Sequence, residues 1–130
     1  MSEILIPISP GELLDKITIL QIKSERISDP VKVANVQAEL EMLHQVWNDT
    51  VAIDDTITAL TVELKSINEA LWVIEDDIRD EERNKRFGEH FIELARAVYV
   101  TNDQRAAAKK KVNLHLNSAI VEEKSYQDYK

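Results

Sequence analysis

The stretch ITALTVELKSINEALWVIEDDIR (residues 57–79) decides the fold. Ile57, Leu60, Leu64, Ile67, Leu71, Ile74 and Ile78 recur at alternating spacings of three and four, with no Gly or Pro between them. That is the seam of an amphipathic helix, sustained for about six turns. A second stripe, Asn68, Trp72, Glu75 and Arg79, runs beside it. At about 100° per residue these four fall within roughly 60° of one another, at the edge of the seam. A polar row in that place serves either a structural hydrogen-bond network or a ligand site.

Upstream of this helix the chain reads as an arm and a helical hairpin. Glu3-Ile4-Leu5-Ile6-Pro7-Ile8 is β-branched and too short for a helix, which predicts an extended N-terminal arm. Ser9-Pro10-Gly11-Glu12 starts a helix: Ser9 suits the cap, Pro10 the first helical position, and Glu12 the capping-box position. Helix one is expected over about 10–27. Leu13, Ile17, Leu20 and Ile27 form one seam, while Ile19 and Ile22 lie on nearly the opposite face. A helix apolar on two sides is either sandwiched or part of a subunit contact. Asp29-Pro30 ends it and caps helix two, over about 30–48, whose seam is Val33, Val36, Leu40, Leu43 and Trp47. The short join favours an antiparallel pair.

The central helix is expected over 55–82. Asn84 to Gly88 reads as a turn, and a fourth helix covers about 88–100. Thr101-Asn102-Asp103-Gln104 has the composition of a second capping box, which predicts a break at Thr101 and a fifth helix over about 102–116. On that helix Asn102, Arg105, Lys109 and Asn113 are spaced three, four and four.

Composition bounds the rest. At 130 residues the chain is one domain by length, 1–130, able to bury a core without staples. Two Gly and three Pro leave little punctuation for an all-β fold. The expectation is therefore an all-α, single-domain bundle of four to five helices around one long central helix. There is no cysteine, so no disulfide and no thiolate metal site. The net charge of −8 speaks against nucleic acid, whose binding needs cations to replace condensed counterions. No apolar run is long enough to span a membrane, and the acid-bearing start MSEILIPISP lacks the basic region of a secretory signal. A cytoplasmic location follows as the default expectation.

The polar stripes supply the candidate residues. Asn68, Glu75 and Arg79 on helix three, Asn102, Arg105 and Lys109 on helix five, and Lys16 and Lys23 on helix one converge on one cleft if their helices share a bundle. Such a cleft would hold a small phosphate- or carboxylate-bearing ligand on fixed cations, with Glu75 as acid/base. The competing reading is structural: Glu75 pairs with Arg79 at i,i+4, the other cations are solvated or ion-paired, and the protein is an interaction module or homodimer. No cofactor is expected. His44, His90 and His115 are isolated, which gives no zinc or di-iron pattern. The acidic run EDDIRDEE (75–82) suits a solvated face, and Glu12-x-x-Asp15 matches only half of a paired-helix Mg²⁺ motif, so no metal site is expected.

Four blocks, ISPGELLDKITILQIKSERI (8–27), NEALWVIEDDIR (68–79), LARAVYVTNDQRAAAKKKVN (94–113) and VEEKSY (121–126), resemble in order an uncharacterised bacterial and phage family, domain of unknown function 6165. The resemblance implies a stand-alone helical domain with no established activity. It places emphasis on the polar positions already singled out, together with Asp76, Asp103, Glu123, Lys124 and Tyr126. It also implies that residues 121–126 are docked rather than frayed.

Overall fold

A computed structural model describes residues 3–130. Four helices follow an arm without regular structure: α1 (Pro10–Arg26), α2 (Pro30–Thr50), α3 (Asp55–Arg83) and α4 (Glu89–His115). The fold is all-α, as the seam spacings require. Ser9 and Asp29 cap their helices as expected, and Asp54 caps α3. Ser9 Oγ accepts from the Glu12 N–H at 3.2 Å, Asp29 from Val31, and Asp54 from Ile57. Each satisfies a helix-end donor that would otherwise lack a partner.

One expected boundary is absent. The helices anticipated over 88–100 and 102–116 are one continuous helix, and Thr101 lies buried in its middle. Of the capping-type residues there, Asp103 has tertiary partners instead: its carboxylate binds Lys124 and the Tyr129 hydroxyl of the C-terminal segment. Both long helices end in a left-handed residue, Lys85 (φ 56°) after α3 and Asn117 (φ 54°) after α4. In each case the next N–H returns to a carbonyl of the last turn, Arg86 to Glu81 and Ser118 to Asn113, both at 2.9 Å. This closing geometry satisfies the terminal carbonyls.

The central helix α3 lies antiparallel beside α4, an arrangement fixed by the short turn between them and by the Lys111–Glu63 and His115–Asp54 contacts. The core gathers Leu13, Leu14 and Ile17 of α1, Trp47 of α2, Ile57, Leu60 and Leu64 of α3, and Ala108 and Val112 of α4. Full burial of each large aliphatic side chain stabilises by about 1.5–3 kcal/mol. Helix α1 packs against all three other helices, whereas the backbone of α2 approaches only α1. That accounts for the two-sided α1: Ile22 is buried inside the bundle, not presented to a subunit, and Ile19 is half-buried. The arm keeps Ile8 against the core and leaves Ile4, Leu5 and Ile6 exposed. No helix among the described residues is long and apolar enough to cross a membrane.

Candidate functional site

The polar centre of the molecule is built where the start of α1 crosses the second half of α4. A row on α1, Gly11, Asp15, Thr18 and Ile22, is spaced four, three and four, and all four residues are buried. Facing it are Asn113, Lys109 and Arg105, one turn apart on α4. The pairing runs antiparallel. Asn113 Oδ1 accepts from the Gly11 N–H at 2.7 Å. Lys109 Nζ donates to Glu12 Oε2 at 2.6 Å. Arg105 Nε donates to Asp15 Oδ1 at 2.8 Å while its Nη2 engages the other carboxylate oxygen. From α3, Asn68 Nδ2 donates to Asp15 Oδ1 and to Thr18 Oγ1, both at 3.0 Å.

Asp15 carries the electrostatic weight of this network. Its side chain is 1% exposed, and an ionised carboxylate so placed is tolerable only when paired and hydrogen-bonded. The Arg105 fork supplies two charge-assisted bonds and Asn68 a third. Its hydrogen bond to Asp15 raises the Arg105 pKa against the opposing effect of burial. For Lys109, burial works against the charged form, but the hydrogen bonds to Glu12 and Glu122 outweigh it and the pKa is raised. No buried side-chain nitrogen or oxygen among the described residues lacks a partner.

The second bond of Lys109 comes from the C-terminal segment, which folds back along α4. Glu122 Oε2 accepts from Lys109 Nζ at 2.8 Å, and Lys110 lies 3.4 Å from Glu123. Farther along, Lys124 reaches Asp103, the Tyr129 hydroxyl donates to Asp103 at 2.6 Å, and the Tyr129 ring meets Tyr99 edge-on at 4.9 Å. The segment is docked, in keeping with the expectation for residues 121–126. Two adjoining cavities open between it and α4. One, of about 560 Å³, is lined by Asn102, Arg105, Lys109, Lys124 and Tyr126. The other, of about 670 Å³, is lined by Tyr99, Ala106, Ala107, Lys110, Tyr126 and Tyr129. Lys109, Glu122 and Lys124 border both.

The candidate residues thus divide. Asn68, Arg105 and Lys109 enter one network, and Asn102 lines the adjoining cavity. Lys16 stands at the edge of the network, 3.9 Å from Glu12. Lys23 is half-buried and has no ion pair among the described residues. Glu75 and Arg79 are not brought to Arg105: they bond to each other along the exposed half of α3, so the helix-three wall of the expected cleft is Asn68 alone. Farther along the acidic run Asp80 pairs with Arg83, Glu81 with Arg86 and Glu82 with Lys85, while Asp76 and Asp77 are exposed. Among the described residues no three His, Asp or Glu side chains gather as a metal-holding group.

Asp15 is the central residue that the polar stripes pass over, because Glu12-x-x-Asp15 reads only as half a metal motif. Its signal is the Gly11-Asp15-Thr18-Ile22 row. An acid in line with a glycine, a threonine and an isoleucine, on a helix apolar on two sides, faces a neighbour and needs a cation there. Glu12 differs from expectation too. Its carboxylate turns to Lys109 rather than back to the helix start, so the Ser9 cap lacks the reciprocal bond of a capping box.

Fold and site together define a small helical domain whose α1–α4 contact is an ion-paired polar ladder bordered by a strap-covered groove. The chain belongs to a family of unknown function, DUF6165, whose model matches residues 4–129. No curated protein and no solved structure matches it.

Proposed function

We propose that the protein binds a small phosphate- or carboxylate-bearing molecule at Arg105 and Lys109, in the groove between α4 and the C-terminal segment. The observation that carries this reading is Glu122. Lys109 is almost wholly buried, yet one of its two carboxylate partners is a largely exposed side chain on a strap without regular structure. The chain's own carboxylate sits where an external anion would sit. Arg105 and Lys109 are held in place by Asp15 and Glu12, so a second anion meets preorganised cations. Glu75 and Arg79 have no part in this site.

The test is the Glu122→Gln variant, titrated with inorganic phosphate and small dicarboxylates while its melting temperature is followed. Removal of the competing charge tightens anion binding by roughly tenfold, about one lost charge-assisted contact. At ten times Kd the melting temperature rises by about 5 °C. Absence of any shift in both the natural chain and Glu122→Gln refutes the proposal.

A second reading rests on a different observation, the exposure of Ile4, Leu5 and Ile6 on the arm. Three consecutive large aliphatic side chains in water favour self-association through the arm of a second copy. Light scattering of the natural chain and of Leu5→Asp at two concentrations decides it: a monomer in both removes this reading.

A further inference from the structure

The groove holds more than cations. All three tyrosines of the chain, Tyr99, Tyr126 and Tyr129, line the larger cavity, although they lie on two segments. Ala106 and Ala107 form its floor on α4, where side chains of one carbon leave the helix surface open. Lys110 and Lys124 stand at its border, and Lys124 Nζ lies 5.5 Å from the Tyr126 ring centre. Tyr126 itself is 84% exposed, makes no hydrogen bond among the described residues and packs in no core cluster. Tyr129 and Tyr99, by contrast, are fixed edge-on to each other.

We infer that the ligand of this site is an aromatic ring carrying a phosphate or carboxylate, with the anion on Lys109 and the ring over Ala106 and Ala107, stacked under Tyr126. This rests on the anion-binding reading above and names its ligand class. The physical grounds are the division of the groove. Its Lys109 side offers ionic partners, and its Ala106–Ala107 side an apolar helix surface beside three tyrosines with Asp103 and Asp128 at the margin, so a molecule with one charged end and one planar end satisfies both. A cavity of about 670 Å³ admits a ring with its substituent, which an inorganic anion alone leaves mostly empty. Tyr126, 84% exposed and met only by the Lys124 ammonium, gains an aromatic packing partner when such a ring arrives. Phosphate has the advantage over carboxylate in displacing Glu122, since it carries more charge and more acceptor oxygens than the side chain it replaces.

The test compares four probes on the full chain by thermal shift and by quenching of intrinsic fluorescence: adenosine 5′-monophosphate, phenyl phosphate, benzoate and ribose 5-phosphate. Inorganic phosphate sets the baseline. The expected result is binding of phenyl phosphate and adenosine monophosphate at least tenfold tighter than ribose 5-phosphate. The Tyr126→Ala variant then loses roughly 3- to 10-fold affinity for the aromatic probes and none for ribose 5-phosphate. Because Tyr126 is exposed, this variant leaves the fold intact, and an unchanged melting temperature without ligand confirms that. If phenyl phosphate alone binds tightly, the ligand is an aromatic phosphate other than a nucleotide; tight benzoate binding identifies an aromatic carboxylate. Equal affinity for ribose 5-phosphate and the aromatic probes overturns the ring assignment and leaves the anion site standing. No binding of any probe or of inorganic phosphate overturns both.

Discussion

Replacement of Gly11 by alanine tests the α1–α4 contact with a change of sign. On a solvated helix start, Gly→Ala stabilises by up to about 1 kcal/mol, because alanine loses less backbone freedom on folding. Here the added Cβ would lie 2.4 Å from the Lys109 carbonyl oxygen and 2.9 Å from Asn113 Oδ1. The nearer atom belongs to the backbone of α4 and cannot swing aside, so α1 must retreat by about 1 Å. Overpacking of this kind costs about 1–3 kcal/mol. The retreat also stretches the buried 2.7 Å bond from the Gly11 N–H to Asn113, and a buried donor left unmet costs about 1–3 kcal/mol more. Set against the helix gain, the net destabilisation is about 2–4 kcal/mol, or a melting temperature lower by roughly 8–16 °C.

Differential scanning calorimetry measures this directly, and Gly88 supplies the control. A Cβ there meets nothing within 4 Å, its backbone is extended (φ −82°, ψ −155°), and it caps α4 without a side-chain bond. Gly88→Ser therefore raises stability by a few tenths of a kcal/mol. A Gly11→Ala protein that melts at or above the natural temperature would show that α1 and α4 are not in this close approach, and the ladder built on it would fall with it.

Three further outcomes follow from the same geometry. Asn68→Ala removes one of the three donors to Asp15 and destabilises by about 1–3 kcal/mol in urea unfolding; Arg105→Lys, which cannot reproduce the two-pronged bond, costs a comparable amount, and the double variant loses less than the sum. The hydrogen bond to Asp103 pushes the Tyr129 phenol up to about 12 from 10.0, so the contact is fully present below pH 10 and is lost as pH rises through about 12. Absorbance titration of tyrosine should therefore show one late step that Tyr129→Phe abolishes. Lys85→Gly relieves the left-handed φ of 56° and raises stability by about 1 kcal/mol, with a higher urea midpoint as the readout.

The fold was legible because its seams are long and regular. Six turns of aliphatic residues in α3, and proline-marked starts for α1 and α2, leave no competing secondary structure. The false break at Thr101 shows the limit of local signals. Thr, Asn and Asp at a helix start and the same residues turned toward tertiary partners read alike, and only the folded chain reveals that Asp103 serves Lys124 and Tyr129. The site was partly legible for the same reason. Helical spacing correctly groups Arg105, Lys109 and Asn113 on one face, but it carries no information on which helix lies opposite. Asn68 and Glu75 share a stripe, yet Asn68 meets α1 while Glu75 stands where α3 is left with an exposed face. The strap is least legible of all, since no periodicity marks an extended segment that docks through Glu122, Lys124 and Tyr129.

The ladder also explains a property that the apolar seams lack. A seam of spacing three and four looks much the same after a one-turn slip, so it fixes which faces meet better than it fixes where along their length. The polar partners do distinguish the registers. A slip of one turn along α4 would set Lys109 opposite Asp15 and Asn113 opposite Glu12. It would replace a two-pronged arginine bond by a single lysine contact and the Lys109–Glu12 ion pair by an amide–carboxylate contact, at about 1–3 kcal/mol for each loss. Arg105 and Lys109 therefore have a structural duty whether or not they hold a ligand, and their substitution disturbs register and binding together. Glu122 has no such duty: it lies on the strap and touches the ladder only through Lys109. Substitution at Glu122 is thus the change that separates the two roles, because it alters the charge facing an incoming anion while leaving the α1–α4 register intact.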